Sequence, residues 1–118
     1  LKVLRGELWW ASLDPIVGSE QGGHRPILVL QTDAISSFTT TVIAIPITTN
    51  LRRSQLPSAV FVSSVAAGLP SDSVVLCHQM RVLDKSRLHR RIGMLPADLL
   101  HQVEYALLFT LGISSNPE

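Results

Sequence analysis

Pro96-Ala97-Asp98-Leu99-Leu100-His101-Gln102-Val103-Glu104-Tyr105-Ala106-Leu107-Leu108-Phe109-Thr110-Leu111-Gly112 is the one long stretch of this chain with a helical period. Leu99, Leu100, Val103, Ala106, Leu107 and Leu111 recur at helical spacing and form one apolar face. Pro96 suits a first helical position, Asp98 the positive end of the dipole, and Gly112 a C-terminal stop. Everything upstream has a different rhythm. Glu7 to Ala11, Pro26 to Gln31, Thr39 to Ile45, Ala59 to Val62 and Ser73 to Cys77 are short apolar or β-branched runs divided by Gly, Pro, Ser and Asp, and each reads as a strand. Gln79 to Leu83 extends the sheet, and Asp84 caps one turn of helix through Leu88. Many short strands followed by one amphipathic helix predict a mainly β, α+β domain: a small curved barrel or sheet plugged by the helix.

The junction before the second strand is Gly18-Ser19-Glu20-Gln21-Gly22-Gly23-His24-Arg25-Pro26. A residue before proline is held extended, so Arg25 should sit at a strand mouth beside a mobile loop. There it serves either as a salt-bridge anchor or as a recogniser of something anionic. Pro46 marks a bulge, an edge or the end of the third strand, which puts Thr48 just past it.

The 118 residues suffice for one domain with a real core, read as residues 1–113 with a loose tail over 114–118. Hydrophobic residues make up 46% and charged residues 16%, a balance that excludes disorder and points to apolar surface buried in a second copy. The net charge of +1 gives no general affinity for polyanions. Charge is instead local: Arg81, Lys85, Arg87, Arg90 and Arg91 face only Asp84, as a solvated face or a phosphate-facing one. The lone Cys77 reads as a buried thiol of a reducing compartment, and neither a membrane span nor a signal peptide is indicated, so a cytoplasmic protein is expected.

Several chemistries lack their residues. There is no Gly-x-Ser-x-Gly elbow, no phosphate loop with its lysine and no His-Glu-x-x-His, and four scattered histidines with one cysteine do not make a structural zinc site. What remains is chemistry without a protein nucleophile. RNA carries its own 2′-hydroxyl, so a nuclease need only orient the phosphate, move a proton and stabilise charge, work suited to arginine and hydroxyl groups.

Arg5-Gly6-Glu7-Leu8-Trp9, the Leu13-Asp14-Pro15 to Pro26 loop with Gly18-Ser19-Glu20, Ile45-Pro46-Ile47-Thr48, and Ser73-Val74-Val75-Leu76-Cys77-His78-Gln79-Met80-Arg81 together resemble the MazF/PemK family of toxin endoribonucleases. The likeness runs in order from about Lys2 to Ile113. It implies an SH3-like barrel with helices, a homodimer, and cleavage of single-stranded RNA at a short sequence without metal or other cofactor, leaving a cyclic phosphate and a 5′-hydroxyl. It places the catalytic pair on Arg25 and Thr48, and RNA contacts on Ser19, Glu20 and Gln79, with Arg81 and His24 beside them. It further implies a cognate antitoxin, a flexible acidic MazE-like segment lying across the same groove. A non-catalytic toxin of the same fold, of the gyrase-poisoning or antitoxin-binding kind, is the alternative.

The remaining expectations are local. Trp9 and Trp10 should face opposite sides of their strand, with base stacking open to the outward one. Arg52 and Arg53 fall in a polar segment near RNA, His78 reads as a partly buried strand residue, and His101 as a structural residue of the helix. His24 is either a plain loop position or a proton carrier; arginine itself, with a pKa above about 12, is a poor base.

Overall fold

The computed structural model describes residues 2–114; the predicted tail therefore lies outside the described residues except for Ser114. Seven strands form one antiparallel sheet: β1 (Glu7–Ser12), β2 (His24–Val29), β3 (Thr41–Thr48), β4 (Ala59–Val62), β5 (Ser73–Leu76), β6 (Arg81–Asp84) and β7 (Leu88–Met94). Three helices accompany them, α1 (Asp33–Ser36), α2 (Ser64–Ala67) and α3 (Ala97–Thr110). The strand order is β4-β5-β3-β2-β1-β7, and β6 also pairs with β3.

Strand β3 organises this arrangement. One edge pairs with β2, while the other pairs with β6 from Thr41 to Ala44 and with β5 at Ile47 and Thr48. Pro46 sits where the partner changes. The Leu30 amide donates to Ile43 O, so the odd positions of β3 turn their amides to β2 and position 46 faces the other edge. Its missing amide thus falls in the gap between β6 and β5, inside the strand rather than at its end.

Alternation gives the sheet two buried faces. Leu8, Leu28, Ile45, Ile47, Val60, Val62 and Val75 pack with Val103 and Ala106 of α3, flanked by Leu99, Leu100 and Leu107. Trp9, Ala11, Leu13, Ile27, Val29, Val42, Ala44, Leu83 and Leu88 form the second, inner core, on the face of the sheet away from α3. The helix therefore covers one face of the sheet. Its end follows from sequence: Gly112 adopts φ +70°, Ile113 N–H donates to Leu108 O at 2.9 Å, and Gly112 N–H donates to Phe109 O at 3.1 Å. Leu111, read as part of the apolar face, is the capping residue beyond the last turn and is exposed.

The Arg5-Gly6-Glu7 motif is structural. Arg5 donates to Leu30 O at 3.0 Å and pairs with Glu104 of α3 at 2.8 Å, tying the sheet to the helix. Gly6 has φ +90°, and a Cβ there would stand 3.0 Å from Met94 Sδ. Glu7 is buried. Its carboxylate accepts from Leu4 N at 2.7 Å and Trp9 Nε1 at 3.2 Å, and meets Arg91 Nε at 2.5 Å.

The side chains of the basic segment also make contacts within the protein. Lys85 donates to Ser36 O, Arg87 to Ser12 O and Asp14 O, Arg91 pairs with Glu7, Arg90 lies 5.8 Å over the Trp10 ring, and Arg81 reaches Leu13 O. The reading beyond Asp84 is corrected. That residue does cap a turn, its carboxylate accepting from Ser86 N at 2.9 Å, but the turn spans only Lys85–Arg87 and β7 follows at once. Cys77 is buried as expected, and burial pushes its thiol up to about 11.

Burial raises the Glu7 pKa, but the Leu4 amide, the Arg91 guanidinium and the Trp9 indole more than offset this and hold it below its ordinary 4.5. The stability it contributes is complete above the unfolded carboxyl's range and lost as pH falls through the lower folded value. Glu7→Gln should therefore cost about 2 kcal/mol at neutral pH. Urea unfolding of both proteins along a pH series checks this: the gap should close as pH is taken below about 4.

Candidate nucleic-acid interface

Proline decides where the β2–β3 ladder stops. Even positions of β2 turn their amides toward β3, as Leu30 does, so Pro26 presents no donor there. The last paired rung is Ile27 with Pro46. Continued by two residues, the same register sets Arg25 opposite Thr48, beyond the paired rungs. Both belong to the face of the inner core: Arg25 is paired with Ala11 of β1, and Thr48 lies two and four residues beyond Pro46 and Ala44. Arg25 is thus the second residue of β2, extended at the strand's start and paired on its β1 side.

Each side chain is held and still has donors to offer. Arg25 Nε donates to Gly22 O at 2.6 Å, and its terminal nitrogens have no partner among the described residues. Thr48 is 5% exposed, and its hydroxyl oxygen accepts from Asn50 N at 3.1 Å, leaving the hydroxyl proton to donate. Arg81, opposite Ala44 across β3 and β6, points to the same end of the inner core, where Nη1 donates to Leu13 O at 3.3 Å.

Arg81 also lines a cavity of about 440 Å³, together with Val17, Ser19, Glu20, Gln21, Arg53, His78, Gln79 and Met80; Arg25 and Thr48 are not among its lining residues. Four predicted contacts, Ser19, Glu20, Gln79 and Arg81, meet in it. Gln79 organises the wall: Oε1 accepts from Gln21 N at 2.8 Å and Nε2 donates to Ser19 O at 3.4 Å. Glu20 Oε1 accepts from Val17 N at 2.7 Å, and Asp14 Oδ1 accepts from Gly23 N at 3.0 Å, so the glycine-rich loop is pinned along its length.

His24 is placed apart. It precedes Arg25 in a strand, so it points to the opposite face, where its ring meets that of His89. His78 is exposed on a single helical turn and hydrogen-bonds Ser58 Oγ at 3.2 Å, in place of the partly buried strand position expected. His101 is also exposed, paired with Glu104 at 3.2 Å. Trp9 is buried while Trp10 is half-buried under Arg90, as alternation requires. Arg53 lines the cavity and Arg52 does not; the turn Leu51–Gln55, capped by Asn50, separates two residues that look equivalent in sequence. Val17, Gln21 and Met80 are further lining residues for which the sequence carried no signal.

Residues 4–111 match the model of the PemK-like, MazF-like toxins of type II toxin–antitoxin systems. The chain belongs to this family. It is 40% identical over 111 residues to the endoribonuclease EndoA of Bacillus subtilis (strain 168), covering 94% of this chain and 96% of that one. It is 35% identical to the endoribonuclease MazF of Staphylococcus epidermidis over 113 residues, 96% of this chain and 94% of that one. Among solved structures, MazF of Deinococcus radiodurans superposes with a TM-score of 0.81 at 35% identity, over 94% of this chain and 97% of that one. A MazE–MazF complex from the same organism gives 0.76 at 34% identity, over 95% and 97% of the two chains. The seven-stranded antiparallel sheet with its C-terminal helix is therefore the MazF-like α+β fold. No helix among the described residues is long and apolar enough to cross a membrane.

If Gln79 pins the loop, removing its amide should free it. Gln79→Ala is expected to raise amide hydrogen exchange at Gln21 and its neighbours at least severalfold while leaving β1 and β2 protected, as read by exchange NMR or mass spectrometry.

Proposed function

We propose that this chain is the toxin of a type II toxin–antitoxin pair and a metal-independent endoribonuclease acting on single-stranded RNA. The observation that carries the reading is the register that sets Arg25 opposite Thr48 past the last β2–β3 rung, with Arg81 on the same face lining the cavity that Gln79 walls. In the reaction, the RNA 2′-oxygen attacks the neighbouring phosphorus and the bond to the 5′-oxygen breaks. The proton leaves the 2′-hydroxyl and one is delivered to the 5′-oxygen, giving a cyclic phosphate and a 5′-hydroxyl. Arg25, its Nε anchored on Gly22 O, turns its free terminal donors to the phosphate oxygens, where they stabilise the extra negative charge of the transition state. Thr48 adds a neutral hydrogen bond from a hydroxyl already fixed by Asn50 N. Ser19, Glu20, Gln79 and Arg81 hold the flanking nucleotides in the cavity.

The same reading gives the protein a cytoplasmic setting, an acidic antitoxin and a second copy of itself. For the second copy, the surface that fits is the groove between β4 and α3, where exposed Phe61, Tyr105 and Phe109 line one apolar trough. Three exposed aromatic residues in one groove are the kind of anchors that obligate interfaces bury.

Cleavage of a mixed-sequence RNA in excess EDTA tests the activity. Wild type should cut at a short sequence, leaving 5′-hydroxyl ends, and Arg25→Ala and Thr48→Ala should each lose about a hundredfold or more in rate. Intact RNA with the wild-type protein would leave a binding-only toxin. For the assembly, sedimentation of Phe109→Glu should shift the wild-type dimer to monomer; a monomeric wild type would overturn that assignment.

A further inference from the structure

We propose that His24 and His89 form a surface site for a divalent transition-metal ion that prefers imidazole, such as Zn²⁺ or Cu²⁺. The two residues are 65 positions apart in sequence, and the sheet brings them together from β2 and β7 across β1. A bulge does the aiming. Trp10 pairs with Arg90 and Ala11 with Leu88, so His89 is the extra, unpaired residue of β7. Bulged residues are turned out of the strand's regular alternation, and here the turn sets the His89 ring 5.3 Å from that of His24, inclined at 61°.

That spacing leaves room for a shared ion. With metal–nitrogen bonds of about 2.0–2.1 Å, each ring centroid stands about 3.2 Å from the ion, and two ligands at a tetrahedral angle place their centroids about 5.2 Å apart. Both rings are solvent-exposed, so an ion can enter and water can complete its shell. Their nitrogens are also uncommitted. His78 is engaged by Ser58 and His101 by Glu104, whereas neither His24 nor His89 has a hydrogen-bond partner among the described residues. The nearby positive charges are drawn aside: Arg90 lies over the Trp10 ring, and Arg25 points to the opposite face of β2. The described residues hold no group of three or more metal-ligating side chains, so this is a two-ligand site, weaker than a structural zinc centre.

The ion would lie on the far face of β2 from Arg25, and this inference does not depend on the proposed RNA cleavage. Calorimetric titration of the whole protein with ZnCl₂ is the direct test. One ion per chain is expected at micromolar concentration, with His24→Ala and His89→Ala each weakening binding on the order of tenfold or more and His78→Ala leaving it unchanged. Electron paramagnetic resonance of the Cu²⁺-loaded protein should show two equivalent nitrogen couplings, reduced to one in either variant. Zn²⁺ titrations that are the same for wild type and His24→Ala, or no saturable binding below millimolar Zn²⁺, would overturn the assignment. Both residues are exposed, so circular dichroism should report folded variants.

Discussion

One strand must satisfy four neighbours at once. β3 is hydrogen-bonded along both edges and buried on both faces, with Val42 and Ala44 in the inner core and Ile45 and Ile47 under α3. An eight-residue strand in that position has no tolerance for a slip, because a shift of one residue would exchange its two buried sets. Its two partners on one edge, β6 then β5, also fix where a proline can be accommodated, and Pro46 occupies that gap. Pro26 acts from the other edge. Together the prolines set the length of the β2–β3 ladder, and the proposed site begins where the ladder ends.

The charges obey a similar economy. In the segment from Lys85 to Arg91 each lysine and arginine contacts a carbonyl, a carboxylate or an aromatic ring of the protein itself. That explains how a chain with a net charge of only +1 is compatible with the proposed RNA substrate: few cations are left over, and they are concentrated at the ladder's end. Affinity built on a few positioned donors favours specificity over indiscriminate attraction to polyanions.

Much of this was legible in the sequence because local signals agreed with the fold. The terminal helix carries period, start and stop signals within itself, and β1, β2, β4 and β5 are bounded by turn residues. Strand β7 was not legible. Leu88-His89-Arg90-Arg91-Ile92-Gly93-Met94 lacks strict alternation because two bulges interrupt its pairing with β1, and a bulged strand broken by arginines reads as a charged turn. α1 and α2 are single turns of four residues each, too short for any period. At the site, Arg25 and Thr48 stand out by their prolines, whereas Arg53 differs from Arg52 only through the turn that carries both.

Strand alternation also bears on how a proton could move in the proposed reaction. His24 is the only histidine beside Arg25 in sequence, and a single peptide step in an extended strand carries its ring to the other side of the sheet, against His89. Bringing it to the Arg25 face would require β2 to give up its pairing with Ser12 and Ala11. A guanidinium in turn offers donors and no acceptor for a proton. The geometry therefore separates the two tasks: β2 would offer the phosphate an anchored fork of donors, and the proton taken from the 2′-hydroxyl would go to a group on the substrate side of the cavity or to water. An enzyme of this kind would draw its rate from charge stabilisation and alignment of a nucleophile the RNA already carries, which is what a site with one anchored guanidinium and one buried hydroxyl is equipped to supply.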